Sequence, residues 1–305
     1  MGISYSPKIV TDGLVLYLDA ANPKSIKKRS NNLLSWDSWT VGTGSVTGYT
    51  MNGSVDENRR ILDTNPFGHS DVVWDTPSND VDSGADGGWD GTLINIDPTK
   101  MYRFSTWVRR KIIGNESFYL GCYGFDSVGA NVGVLNRSNA AVNTNPYFSA
   151  TGWWGSANTW YLVVGHVWPV GSGTGTMHVD SAIYNTSGTK VATTQDFVWQ
   201  STTVKTTHRS YLYYSTDPTT NQQWYHPRID LCDGTEPTIS ELLGNIENTW
   251  YDLSGNGNNG ILTNGPNYTA VNNGSLVFDG IDDYANIAHS SNLDIVSDFT
   301  ISFWL

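Results

Sequence analysis

Twenty-nine acidic side chains could do chemistry in this 305-residue chain, and they divide into 24 Asp and only 5 Glu (Glu57, Glu116, Glu236, Glu241, Glu247). Glycoside hydrolysis needs two carboxylates held roughly 5–9.5 Å apart, one of them kept protonated by burial. The five Glu residues are too scattered to form such a pair locally, and Asp282 and Asp283 adjoin in a turn-like stretch that offers no burial. Six His residues (His69, His166, His178, His208, His226, His289) show neither an HExxH pattern nor paired-ligand spacing. Gly171–Gly175 reads GSGTG, which is not the G-x-S-x-G of a nucleophile elbow. The chain is therefore expected not to be an enzyme.

Binding chemistry fits the residues better. Asp252, Asn256 and Asn258 in DLSGNGN offer hard oxygens on a short loop, and Asp279, Asp282 and Asp283 in FDGIDDY form a second cluster. Calcium takes such ligands. The same residues also build Asx-turns and tight hairpins with no ion at all. A sugar ring stacks on aromatic faces while Asp and Asn bind its hydroxyls. The stretch NPYFSATGWWGSANTW puts Tyr147, Trp153, Trp154 and Asn158 in Gly- and Ser-rich sequence, which makes these four the candidate ligand contacts. Burial and subunit packing compete for the same aromatics, and WYLVVGHVW (160–168) reads as interior.

Composition narrows the partners. Lys+Arg 17 against Asp+Glu 29 gives a formal charge of −12, so no basic field exists to displace counterions from phosphate, and nucleic acid is excluded. Charged residues are 15% of the chain, against 13 Trp, 16 Tyr and 9 Phe, the reverse of a disordered composition. No apolar run reaches the roughly 18 residues of a membrane span, so no membrane insertion is expected. The opening MGISYSPKIVTDG lacks the layout of a signal peptide. Cys122 and Cys232 give neither a disulfide framework nor metal spacing and are expected to be reduced core residues.

The elements that must position these groups read as strands. Asp favours turns where Glu favours helices, and 31 Gly with 11 Pro punctuate many short runs. Strands are predicted at Asp12–Asp19, as one buried on both faces, and at Tyr102–Arg109, Ser117–Tyr123, Trp160–Trp168, Arg209–Tyr214, Trp224–Cys232, Ser275–Phe278, Tyr284–Ile287 and Phe299–Leu305. Period-2 alternation in Tyr102–Arg109 predicts a half-buried antiparallel strand. Only Pro237–Ile246 reads as helix, with Thr238 or Ser240 as cap. Asn-Gly pairs at 256, 259, 264 and 273 signal hairpins. The fold class is all-β.

GLVLYLD (13–19), WYDLSGNGNNG (250–260), LVFDGIDDY (276–284) and FTISFW (299–304) resemble the laminin-G-like branch of the concanavalin A-like lectin/glucanase superfamily. In that family the DLSGNGNNG turn follows the first strand closely, whereas here residues 31–244 intervene. The resemblance implies a laminin-G-like β-sandwich, made of 1–30 and 245–305 and incomplete at its C-terminus, interrupted by an inserted domain at 31–244. A C-terminal apolar run with no cap after it implies that the polypeptide continues past Leu305. The insert, from NNLLSWDSW through MYRFSTWVRR to HPRIDLCDG, resembles a carbohydrate-binding-module jelly roll. The wording of the insert is also similar to virion structural proteins of tailed, particularly marine, bacteriophages.

These resemblances imply several properties. Both domain types often carry structural Ca2+, and Asp230 in RIDLCDG resembles the last-strand Asp that helps to hold it, so Asp230, Asp252, Asp279 and Asp282 form the implied metal set. Glucanases of the superfamily use a Glu-x-Asp-x-Glu strand, which is absent here. The implied role is a surface protein of the virion, such as a tail fibre, head fibre or decoration protein. It would adhere to host-surface glycan or decorate the particle, among other phage structural proteins, as a homo-oligomer for which a trimer is expected. The alternative is a secreted bacterial carbohydrate-binding accessory of a glycoside hydrolase system.

Overall fold

The computed structural model describes residues 12–22, 24–26, 32–68, 70–79, 84–151, 155–244, 249–263, 266–269, 275–278, 280–281, 283–296 and 298–302. The chain divides into two compact units, one spanning Ser30–Gly244 and the other made of Met1–Arg29 with Asn245–Leu305. Both are built from strands, and the fold is all-β.

In the larger unit an eleven-stranded sheet faces a six-stranded one. The centre of the first runs Arg59–Thr64, Ser70–Pro77, Asn221–Leu231, Tyr102–Ile112, Trp160–Trp168 in spatial order. The second runs Tyr147–Thr151, Ser117–Phe125, Lys205–Tyr213, Ala85–Gly91, Tyr49–Met51, with Ile94–Asn95 beside the Lys205 strand. All these pairings are antiparallel. Aromatic side chains from the two sheets meet between them. Trp89 lies 5.2 Å from Trp74 and 5.3 Å from Trp224, and Phe104 lies 5.2 Å from Phe148. Fully burying rings of this size supplies much of the drive for folding.

The Tyr102 strand departs from the sequence-based expectation. Its residues 102–110 are all buried, not half-buried. The face away from the sandwich is covered by side chains that satisfy one another. Arg103 donates to Asp230 and to the Pro237 carbonyl, Arg109 donates to Gln223, and Trp107 packs edge-on against Phe67 at 5.6 Å. Alternating polarity marks such a face as polar, and long side chains can still seal it from water. The helix is one turn and a little more, Ile239–Leu243, begun by a capping box between Thr238 and Glu241. Cys122 and Cys232 are both free thiols, the first buried and the second half-buried, and burial pushes both up to about 12.

The smaller unit carries a three-stranded sheet of Thr249–Trp250, Gly260–Thr263 and Tyr284–Ile287, and a hairpin of Asn267–Thr269 with Ser275–Val277. The predicted strand at Asp12–Asp19 is not a ladder strand. Residues 14–19 are half-buried and held by the loop after Trp250. Asp252 Oδ1 accepts from the Tyr17 amide at 2.9 Å, the Leu253 amide donates to the Tyr17 carbonyl, and Asn256 and Asn258 amides donate to Val15. The loop's side chains supply the partners that a neighbouring strand would otherwise give. Residues 299–302 are likewise not strand, and Phe299 and Ile301 are exposed, because no ladder partner lies beside them among the described residues.

His208 stacks between Trp89 and Phe104 and donates from Nε2 to the Ser105 carbonyl at 3.1 Å. Burial lowers its pKa to about 4. The folded chain thus holds the neutral ring, so this contribution is complete above about pH 6.5 and is lost as pH falls toward 4. It amounts to on the order of 3 kcal/mol. Urea midpoints should drop between about pH 7 and about pH 4.5, and His208→Phe should reduce that drop. Equal drops in both proteins would refute the assignment.

Candidate functional site

Strand alternation creates the site. In Ser117–Phe125 and Lys205–Tyr213, the residues Phe118, Leu120, Cys122, His208 and Leu212 are buried in the sandwich. The intervening positions emerge on the opposite face, as Tyr119, Gly121 and Tyr123 on one strand and Arg209, Tyr211 and Tyr213 on the next. Register places Gly121 opposite Arg209 and Tyr119 opposite Tyr211, with Tyr147 opposite Gly121 from the other side.

Arg209 is the centre of this face. Its guanidinium carbon lies 3.6 Å from the Tyr123 ring centroid and 4.1 Å from that of Tyr147, and the residue is fully buried. It donates to Asn145 Oδ1 at 2.7 Å and to the Pro146 carbonyl at 2.9 Å. A desolvated cation between two ring faces is worth about 2 kcal/mol or more. Gly121 makes room for it, since a Cβ there would stand 2.4 Å from the Pro146 carbonyl and 2.7 Å from Tyr147 Cδ1.

Around this centre the tyrosines form a continuous patch. Tyr119 lies 4.7 Å from Tyr147 and 5.9 Å from Tyr213, Tyr211 lies 5.7 Å from Tyr213, and Tyr214 lies 5.5 Å from Tyr213. Tyr119, Tyr123, Tyr147 and Tyr213 are half-buried and Tyr214 is exposed. Tyr214 adopts φ +67°, a left-handed conformation that a bulky residue takes only under constraint. Its amide donates to the Gly84 carbonyl. Tyr211 donates to Asp90 Oδ1 at 2.5 Å. Burial raises the Tyr147 pKa to about 12 despite Arg209, and burial with Asp90 raises that of Tyr211, so these phenols stay neutral donors at physiological pH. The arrangement can stack an apolar ring face and hydrogen-bond the hydroxyls at its edge.

The sequence-predicted contacts fall in different places. Tyr147 belongs to this patch. Asn158 does not. It stands beside the eleven-stranded sheet, its amide donating to the Arg110 carbonyl at 2.6 Å. Trp153 and Trp154 lie outside the described residues. Tyr119, Tyr123, Arg209, Tyr211 and Tyr213 went unnoticed, although Tyr-x-Gly-x-Tyr and Arg-x-Tyr-x-Tyr at period 2 carried the signal.

Of the implied calcium ligands, Asp230 and Asp252 are already engaged by other partners. Asp230 is buried, and its carboxylate accepts from Arg103 at 2.8 Å and from Arg228 at 2.7 Å. Burial would raise its pKa, but the two guanidiniums hold it below the ordinary carboxylate range. A metal ion there would face two positive charges. Asp252 already accepts from Tyr17, Asn258 and twice from Ser254, which is an Asx-turn doing the work of a strand partner. Asp279 and Asp282 lie outside the described residues. Among the described residues no group of three His, Cys, Asp or Glu is arranged to hold a metal.

No protein-family model and no curated protein matches the chain. Among solved structures it is similar to the enzymatically active domain of tailspike protein 4 of bacteriophage CBA120, at 10% identity over 71% of this chain and 21% of that one, TM-score 0.32. It is similar to an arabinose-bound α-L-arabinofuranosidase at 12% identity over 71% of this chain and 27% of that one, TM-score 0.36. A third is the CBM22-1 xylan-binding domain of Paenibacillus barcinonensis Xyn10C, at 12% identity over 66% of this chain and 94% of that one, TM-score 0.30. Likenesses this distant carry no argument. The chain spans about a fifth and a quarter of the length of the first two.

Two substitutions test the packing. Gly121→Ala should cost about 1–3 kcal/mol in denaturant unfolding through overpacking. Asp230→Ala should cost about 3–5 kcal/mol by leaving two buried guanidiniums without their carboxylate. A change below about 0.5 kcal/mol in either would contradict the packing described.

Proposed function

We propose that this chain is a non-catalytic glycan-binding protein displayed on the exterior of a tailed-phage particle, with the tyrosine face of the six-stranded sheet as its sugar site. The observation that carries the reading is the patch of Tyr119, Tyr147, Tyr211, Tyr213 and Tyr214 assembled around Arg209. A pyranose stacks its C–H face on such rings, and the phenols and Asp90 are placed to meet its hydroxyls. The pre-set geometry lowers the ordering cost of binding.

The non-catalytic reading is supported by where carboxylates are spent. Glu116 pairs with Arg110 at 2.8 Å inside the sandwich, Glu57 accepts from the Ser54 amide, and Glu236 and Glu241 close turns. The virion reading rests on the sequence resemblance of residues 31–244. In that role each site binds weakly, and many copies per particle, arranged as symmetric homo-oligomers, raise the avidity. A trimer is the form we expect.

On a glycan array, Tyr147→Ala and Tyr213→Ala should each weaken the signal about tenfold, equivalent to about 1.4 kcal/mol, with the thermal midpoint preserved in Tyr213→Ala and lowered in Tyr147→Ala by the lost stacking on Arg209. Undiminished signal in both would remove the site. Mass spectrometry of purified particles should find this chain. Its recovery only from culture medium of uninfected bacteria would favour the secreted accessory protein instead.

A further inference from the structure

A second site lies on the larger unit, away from the tyrosine face and independent of it. A cleft of about 480 Å³ opens beside the Arg59, Ser70, Tyr102 and Asn221 strands, within the size range of small-molecule sites. Its polar lining includes Asp75 beside Arg59, then Lys111, Asn158, Thr220 and Asn221, and its apolar lining includes Pro77 and Ile112. We infer that this cleft binds a carboxylated sugar residue, with the carboxylate on Arg59 and Lys111 and the ring against Pro77 and Ile112.

Charge is the first argument. Three cations and two carboxylates interlock here: Arg59 with Asp75, and Lys111 and Arg109 with Asp63. The network itself carries a charge of +1, within a chain of formal charge −12, while the Asp217 carboxylate nearby is held by Thr219. Both carboxylates are spent on the network, Asp75 also accepting from Asn221 and Gln223, and Asp63 from Gln223. Arg59 and Lys111 are the most exposed members, at 43% and 38%, against 20% for Asp63. Arg59 bonds Asp75 through Nε and Nη2, leaving its Nη1 edge, and Lys111 shows one bond from an ammonium with three protons. A planar fork beside a point charge suits a carboxylate.

The remaining groups suit a sugar better than a bare anion. Asn158 is exposed in a left-handed conformation, φ +53°, its backbone fixed by the bond to Arg110, and its side-chain amide takes no partner among the described residues. Asn221 differs, its Nδ2 donating to Asp75 and its Oδ1 closed off from solvent, so Asn158 is the amide open to a ligand. An amide offers both donor and acceptor to vicinal hydroxyls. Ile112 is 47% exposed on the cleft wall, an apolar surface that a solvated ion would not use.

The test is a calorimetric or NMR titration of the full chain with glucuronate, N-acetylneuraminate, methyl glucoside and acetate. One or both sugar acids should bind saturably, and which one distinguishes a uronic from a sialic source. Lys111→Gln and Arg59→Gln should each weaken that binding about fivefold, and added salt should weaken it in the wild type, an arm that needs no variant. Methyl glucoside or acetate binding as tightly as the sugar acids, and weakened equally by Lys111→Gln and Arg59→Gln, would overturn the proposal. Saturable binding of neither acid, or binding indifferent to salt and to both substitutions, would overturn it equally. Carboxylate-dependent binding is read separately from neutral-glycan retention, so this site and the tyrosine face can fail independently.

Discussion

Trp89 is the packing element on which the larger unit depends. Its ring lies between about 5 and 6 Å from those of Trp39, Tyr49, Trp74, His208 and Trp224. That position requires Gly87 and Gly88 ahead of it. Both have positive φ, and a Cβ on Gly88 would stand 2.1 Å from the Ser210 carbonyl. With Trp89 committed to the interior, alternation sends Asp90 outward, where it meets the Tyr211 hydroxyl. One inward ring therefore sets the polar edge of the tyrosine face.

The second constraint is the number of guanidiniums removed from water. Arg110, Arg209 and Arg228 are among the largest fully buried side chains, and Arg103 is nearly so. Arg103 and Arg228 share Asp230, and Arg110 holds Glu116. Arg209 is answered differently, by two tyrosine faces, an amide oxygen and a carbonyl. Its charge is spread over rings that themselves remain partly open to solvent. Interior electrostatics and the outer aromatic surface are thus one arrangement, and a stiff one.

Much of the β architecture was legible in the sequence because period-2 alternation and Gly/Asn punctuation are local. Trp160–Trp168 and Tyr284–Ile287 were read with their observed bounds, and the Thr238-capped helix was read from its capping residue. What escaped was whatever depends on a neighbour. Arg103 and Arg109 looked solvent-facing until Asp230 and Gln223 were set beside them. Asp230 read as a cation ligand through the family resemblance of RIDLCDG; Arg228 stands in that motif, but Arg103 comes beside it only through strand pairing. The tyrosine face needs three strands from separate parts of the chain, and only Tyr147 stood in a stretch whose composition drew notice.

The clamp of the Asp252 loop on Tyr17 has a temporal side. The two groups are 235 residues apart, so during synthesis at ~5–20 residues per second the leading segment waits on the order of ten seconds or more for its partner. Over that interval the intervening domain can complete itself from its own contacts. By then the stretch to be closed is no longer a loose coil, and the entropy of bringing its ends together is correspondingly reduced. The insert, though made second, is therefore the piece that can be finished first, and the unit begun before it is the last to close.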